Sequence, residues 1–183
     1  MENYVVIARF DNETNEKMST LHKHLCVEGC VETISEWPPH ITLAAYESIS
    51  ISALLQWTER FTQKRSPFEV MFASVGILPP GGEHTNTVVL YASPSQSADL
   101  ISFYYAFHEE LDEYCGDLGW WYSKKCGYPV IHSTIGFVSV LSIQKTMELI
   151  FAHHIFCMAE INALEVYTYP MKLIKRFDLN KGN

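Results

Sequence analysis

The stretch "PPHITLAAY" (38–46) places a histidine and a threonine two residues apart in an apolar run that follows two prolines. Such a run predicts a half-buried strand. Because side chains at i and i+2 of a strand point to the same side, His40 and Thr42 would share one face of a sheet. The stretch "VIHSTIGFV" (130–138) repeats the pattern with His132 and Thr134. We therefore ask whether the two stretches belong to one active site.

The elements around these two stretches occur in the same order in each half of the chain. The first half contains a predicted strand at 4–10, a helix at 12–25, the strand with His40, a helix at 50–61 and a strand at 67–78. The second half contains a strand at 86–93, a helix at 97–115, the strand with His132, a helix at 142–154 and a strand at 156–170. This repeat predicts two related lobes about a pseudo-twofold axis. We predict one bilobal domain over residues 1–183, with lobes of about 1–82 and 83–183 and possible strand exchange.

If the two lobes pack about that axis, the four motif side chains converge on one groove. Two imidazoles suit phosphodiester hydrolysis, because one can take a proton from water while the other protonates the leaving oxygen. The two threonine hydroxyls would bind the non-bridging phosphate oxygens. The alternative is two unrelated histidines whose nitrogens are satisfied by the backbone. The equivalent position of both pairs in a repeated half favours the shared active site.

Composition limits the partners of the chain. It has 183 residues, 13 basic and 21 acidic, with a formal net charge of −8, which disfavours long nucleic acid but allows a small anion in a local pocket. Five cysteines without framework spacing predict reduced thiols and a cytoplasmic protein. We expect no signal peptide, no membrane span and a monomer. We also expect no cofactor and no metal: of His22, His24, Cys26 and Cys30, His24 would face away from the others on a helix, and no return pair of ligands follows.

Further candidates for substrate contact are aromatic and basic residues near the second motif and at the ends of the motif strands. The segment "GWWYSKKCGYP" (119–129) could stack a base and reach a phosphate, or could be a packed lid or a partner surface. Tyr46 and Phe137 would flank the groove, although core packing is an alternative for Phe137. The candidates in the segment are Trp120, Trp121, Tyr122, Lys124, Lys125 and Tyr128.

The sequence resembles the 2H phosphoesterase superfamily, also called the 2′-5′ RNA ligase family. The family's two His-x-Thr/Ser motifs match "HIT" (40–42) and "HST" (132–134), and "PPHITLA" resembles the first motif closely. The run "FEVMFASVGILPP…TVVLYASPS" resembles the central strand pair. Relatives often have a proline directly before the second histidine, where this chain has Ile131; Pro129 lies three residues before His132.

The resemblance implies an α+β, bilobal duplicated fold with two mainly antiparallel sheets forming a central groove and helices packed outside. It also implies metal-independent cleavage of cyclic phosphates or 2′-5′ phosphodiester bonds, with His132 as base and His40 as acid. The expected substrate is a small nucleotide, a cyclic nucleotide, a short oligonucleotide or an RNA end, and hydrolysis is expected rather than ligation. The alternatives are a non-catalytic nucleotide sensor of the same fold and an interaction protein whose histidines belong to the core.

Overall fold

Seven strands and four α-helices form within residues 2–31, 35–80, 86–127 and 129–180, which the computed structural model describes. The predicted lobe boundary near residue 82 lies outside these ranges. The strands are β1 (Asn3–Phe10), β2 (His40–Tyr46), β3 (Phe68–Leu78), β4 (Thr87–Pro94), β5 (Ser133–Ser139), β6 (Met158–Tyr169) and β7 (Lys172–Asp178). The helices are α1 (Asn12–Val27), α2 (Ile51–Gln63), α3 (Ala98–Phe107) and α4 (Ile143–Ala152).

The strands form one antiparallel sheet in the order β2-β1-β6-β3-β4-β5, with β7 paired to β6. Strand β3 pairs with β6 through residues 68–71 and with β4 through residues 72–78. It therefore joins one group of strands, β2, β1, β6 and β7, to a second group, β4 and β5. The predicted α+β class with antiparallel pairing is confirmed. The division into two lobes stays a prediction, because β3 belongs to both groups.

The main core lies between the helices and one face of the sheet. Helix α1 begins at the Asp11 cap, whose carboxylate accepts a hydrogen bond from the Thr14 amide at 2.9 Å. The buried side chains of α1 include Met18, Leu21 and Leu25, at the spacing that predicted the helix. The opposite face of the sheet carries a smaller apolar cluster. This cluster consists of Val5, Ile7, Ala45 and Tyr167, with Trp37, Leu118, Tyr122 and Met171 packed against it.

Each motif strand contains a β-bulge directly after its threonine. In β2 the pairing with β1 passes from Thr42 to Ala44, which leaves Leu43 as the extra residue. In β5 the pairing with β4 passes from Thr134 to Gly136, which leaves Ile135 as the extra residue. A bulge reverses the alternation of side chains beyond it. Both motifs therefore present the same local backbone, in agreement with the repeat seen in the sequence.

Two elements differ from the sequence prediction. Helix α3 ends at Phe107 rather than near residue 115, and a short 3₁₀ turn (Asp112–Tyr114) follows. Strand β7 is not predicted by the sequence, because most of its side chains are exposed and its pattern lacks a buried alternating face. It forms as an edge strand on β6, where backbone hydrogen bonding does not depend on that alternation.

Candidate active site

A cleft of about 910 Å³ lies between the two motif strands. Its walls include His40 from the first motif and Thr134 from the second, together with Phe137 of β5. Strands β2 and β5 stand at opposite ends of the strand order, yet residues of the two strands contact each other. The fold thus brings the two His-x-Thr stretches to one place.

The two motif histidines are held in the same way. His40 Nδ1 lies 2.6 Å from the carbonyl oxygen of Pro38, and His132 Nδ1 lies 2.6 Å from that of Val130. A carbonyl oxygen only accepts, so Nδ1 carries a proton and donates in both rings. The other nitrogen, Nε2, is then free to take up or release a proton. In His40 this nitrogen lies 3.2 Å from the Thr42 hydroxyl.

Both motif histidines are harder to protonate than a free imidazole. Burial lowers the pKa of His40 to about 4; the hydrogen bond to Pro38 opposes this shift, and positive charge on Arg9, His132 and His22 adds to it. Burial also lowers the pKa of His132, and the hydrogen bond to Val130 opposes that shift. The influence of His132 on the pKa of His40 indicates that the two rings lie within electrostatic reach of each other. Of the two, His40 is the more strongly held in its neutral form.

Aromatic rings support each motif histidine. The Trp37 ring centroid lies 5.5 Å from that of His40, and the Tyr91 centroid lies 5.0 Å from that of His132. Tyr122 approaches the other side of the first motif: burial raises the pKa of its phenol, and a hydrogen bond with the Thr42 side chain opposes the shift. Tyr122, one of the predicted candidates in the 119–129 segment, therefore contacts a motif residue.

A third histidine, His22 of α1, lines the cleft; the sequence pattern did not predict it as a site residue. Its side chain is buried, with 8% exposure. Burial lowers its pKa, and a hydrogen bond to the Thr134 backbone opposes this shift. The available signal was its position on the apolar stripe formed by Met18, Leu21 and Leu25, since residues at i, i+3, i+4 and i+7 share one helix face.

Arg9 is the fixed cation beside His40, and it is already paired. The two residues are directly opposite each other in the β1–β2 register. The Arg9 guanidinium lies 2.7 Å from a carboxylate oxygen of Glu165, which also accepts a hydrogen bond from Tyr167 at 2.8 Å. The opposite carboxylate oxygen of Glu165 lies 3.2 Å from Arg176. Glu165 is thus shared by two arginines, and the charge of Arg9 still acts on His40.

The remaining predicted contacts have different outcomes. The prediction for Tyr46 is wrong: its side chain is fully buried in the main core, because the bulge at Leu43 turns Tyr46 to the helix side and Ala45 to the cleft side. Phe137 does line the cleft and is 66% exposed. Tyr128 lies outside the described residues. Four candidates are exposed but do not line the cleft, and their contact with substrate stays a prediction: Trp120, Trp121, Lys124 and Lys125.

The profile of the 2'-5' RNA ligase superfamily matches residues 12–170, which is most of the chain and includes both motifs. The protein belongs to this superfamily. It is the superfamily of the 2H phosphoesterases, so membership supports a phosphoesterase-type enzyme that acts on nucleotides or RNA ends. No curated protein sequence is similar enough to count as a match.

Solved structures share the fold at low sequence identity. The protein TT0787 of Thermus thermophilus matches with a TM-score of 0.60 and 10% identity over 100% of both chains. Usb1 of Kluyveromyces marxianus matches with a TM-score of 0.54 and 13% identity over 97% of this chain and 98% of its own. E. coli LigT complexed with phosphate matches with a TM-score of 0.53 and 12% identity over 98% of each chain. At these identities the similarity establishes the fold alone.

Among the described residues, no helix is both long enough and apolar enough to cross a membrane.

Proposed function

We propose that the protein is a metal-independent phosphodiesterase that hydrolyses a cyclic phosphate or a 2′-5′ phosphodiester bond in a small nucleotide, a short oligonucleotide or an RNA end. The observation that carries the proposal is the matched anchoring of His40 and His132, each with Nδ1 on the carbonyl two residues earlier. This arrangement leaves Nε2 of each histidine for proton transfer; His40 lines the cleft, and the second motif reaches it through Thr134.

The comparisons support a ligand that contains phosphate. Fold relatives have been solved as E. coli LigT with phosphate, E. coli LigT with NADP+ and K. marxianus Usb1 with uridine monophosphate. The cleft of about 910 Å³ is large enough for a nucleotide, since ligand sites commonly measure about 300–1,000 Å³.

In the proposed reaction, one histidine takes a proton from water as its oxygen forms a bond to phosphorus. The other histidine donates a proton to the ribose oxygen as the bond from phosphorus to that oxygen breaks. The products are a phosphate monoester and a free hydroxyl, and solvent exchange restores the two protonation states. The hydroxyls of Thr42 and Thr134 hold the non-bridging oxygens during the displacement. Because both proton transfers are made by imidazole, the reaction requires no metal ion.

The pKa pattern favours His40 as the base and His132 as the acid, the reverse of the roles that the family resemblance implies. A base must be neutral before reaction, and the low pKa of His40 keeps it neutral. An acid must be protonated, and the negative charge of a bound phosphate raises the pKa of a nearby imidazole. His132 meets this requirement more easily than His40, since it lacks the neighbouring Arg9.

The test is hydrolysis of a substrate panel in excess EDTA by the wild-type protein, His40→Ala and His132→Ala. The panel contains 2′,3′-cyclic nucleotides, 3′,5′-cyclic nucleotides, 2′-5′ oligoadenylates and cyclic dinucleotides. We expect turnover to survive chelation and each substitution to lower kcat by about 10²–10⁴-fold, the usual contribution of a general acid or base. Thermal melts in the same buffer check that every protein remains folded.

Loss of turnover on chelation, restored by added metal while the melts stay unchanged, would contradict the mechanism. Absence of turnover on every substrate would contradict the enzyme proposal. In that case, equal nucleotide affinity of the wild-type protein and His40→Ala would favour the sensor.

A further inference from the structure

A second cluster of polar side chains lies away from the cleft, between the end of α3 and the helix-facing side of β2. It consists of His108, Asp112 and Cys115, whose ligand atoms all lie within 4.8 Å of one another. His108 and Cys115 are buried, with exposures of 0% and 2%. The family chemistry of the cleft uses none of these three residues.

Two buried polar atoms at this cluster have no hydrogen-bond partner among the described residues: His108 Nδ1 and the Tyr46 hydroxyl. His108 Nδ1 lies 3.1 Å from Asp112 Oδ1, a contact that is an ion pair only when the imidazole is protonated. Leaving such groups unpaired inside a core costs about 1–3 kcal/mol each, so an occupant that uses them is favoured.

Tyr46 reaches the cluster because β2 lies directly against it. The Glu47 amide donates to the Tyr114 carbonyl oxygen at 2.8 Å, which sets the end of β2 beside the 112–115 turn. The acidity of the Tyr46 phenol reflects this proximity. Burial raises its pKa well above the usual range, and the nearby Cys115 and Asp112 add to that shift.

The geometry points to one zinc ion bound by His108 Nδ1, an Asp112 carboxylate oxygen and the Cys115 sulfur. Zinc is borderline-soft and takes nitrogen, oxygen and sulfur ligands together. Tetrahedral zinc with bonds of about 2.0–2.1 Å separates its nitrogen and oxygen ligands by roughly 3.3 Å, close to the 3.1 Å between His108 and Asp112. We assign the fourth position to the Tyr46 hydroxyl or to a water that it holds.

Hydrogen bonds from neighbouring backbone groups already orient two of these ligands. His108 Nε2 donates to the Leu43 carbonyl oxygen at 2.8 Å, which leaves Nδ1 as the nitrogen for the metal. That carbonyl belongs to the bulge residue of β2, which the β1 ladder does not pair. The Lys124 amide donates to Asp112 Oδ1 at 2.8 Å. Binding would release the thiol proton of Cys115 to solvent and join α3, the 112–115 turn and β2.

The test is the metal content of the full-length protein, purified without a polyhistidine tag and dialysed in metal-free buffer. We expect about one zinc per chain, as a closed structural site requires. Cobalt added to zinc-free protein should produce thiolate-to-cobalt charge-transfer absorption. Cys115→Ser should abolish this absorption and lower the zinc content to background, whereas the matched control Cys157→Ser should leave both unchanged.

Asp112→Asn is the second variant if Cys115→Ser does not fold, because Asn keeps the side-chain shape of a partly exposed residue. It should lower zinc affinity at least tenfold while the chain remains folded. The zinc proposal is overturned if the wild-type protein holds only traces of zinc and gives no thiolate–cobalt absorption. It is also overturned if Cys115→Ser retains stoichiometric zinc or if Asp112→Asn binds zinc with unchanged affinity, since the ion would then lie elsewhere.

Discussion

At the scale of single residues, the two motif histidines resemble each other in anchoring but differ in acidity. The difference arises first from burial, the largest cause of the low pKa of His40, and then from Arg9, which His40 faces across the β1–β2 pair; His132 contacts the neutral ring of Tyr91. The Arg9–Glu165 ion pair fixes the guanidinium in place, so its positive charge acts on His40 permanently. The two imidazoles are therefore anchored alike but differ in pKa.

The low pKa of His40 should appear in the pH dependence of stability. The pKa of His40 is about 4 in the folded chain and about 6.5 in the unfolded chain. Between about pH 4 and pH 6.5, therefore, His40 binds a proton in the unfolded chain but not in the folded chain. The free energy of unfolding should therefore fall as the pH drops from about 6.5 toward 4, by up to about 1.4 kcal/mol per pH unit from this residue. Above that window the contribution is fully present.

Urea unfolding of the wild-type protein and His40→Gln over this pH range measures the effect. The slope of unfolding free energy against pH should be shallower in His40→Gln, because this variant lacks the proton that His40 takes up on unfolding. Some slope should remain, because the other histidines with lowered pKa are present in both proteins. Parallel curves for the two proteins would show that His40 is not held neutral.

At the scale of elements, two glycines let neighbouring segments approach closely, with different consequences for substitution. A Cβ on Gly119 would overlap the Ala45 carbonyl oxygen and the Cys115 carbonyl oxygen, which are backbone atoms. A Cβ on Gly76 would overlap the ring of Tyr91, which is the end of a side chain. The first overlap can be relieved only by moving β2 away from the 115–119 turn, and the second by turning one ring.

We therefore predict that Gly119→Ala loses stability and Gly76→Ala loses activity. Gly119→Ala should cost about 1–3 kcal/mol of unfolding free energy, the usual range for overpacking. Gly76→Ala should melt close to the wild-type temperature but lower kcat several-fold, because Tyr91 moves from its place 5.0 Å from the His132 ring. Denaturant unfolding and steady-state kinetics on both variants check this, and equal losses of stability would contradict it.

At the scale of the whole molecule, the acidic balance limits the length of the substrate. The net charge is −8, and the fixed cation beside His40 is already in an ion pair with Glu165. A long polyanion gains affinity by pairing many phosphates with basic residues, and such residues are few here. A short ligand needs only the few donors that line the cleft.

A longer oligonucleotide substrate should therefore not have a higher kcat/KM than a short one. For oligonucleotides that carry the same cleavable end, kcat/KM should not rise between a dinucleotide and a chain of about 20 nucleotides, and its dependence on salt should be weak. Kinetics of a length series at two salt concentrations measure this. A strong increase with length that disappears at high salt would instead indicate an extended nucleic-acid surface.

The amino-acid sequence by itself determined most elements of this protein, the antiparallel α+β class, the two His-x-Thr pairs and the superfamily. These features depend on local patterns: apolar periodicity, prolines before the first motif and a histidine two residues before a threonine. Even the order of elements in the two halves could be read along the chain, because the strands and helices other than β7 have their own buried side chains.

Only the tertiary structure decided which side chains face the cleft. Simple alternation puts Tyr46 beside Thr42, but the bulge at Leu43 sends it to the core, and the bulge at Ile135 sends Phe137 to the cleft. A bulge leaves no clear trace in sequence, because ordinary apolar residues such as leucine and isoleucine occupy it here. The position of His22 in the cleft has a related explanation. Helix periodicity predicts that its side chain is buried, but only the tertiary structure shows which element packs against that side chain.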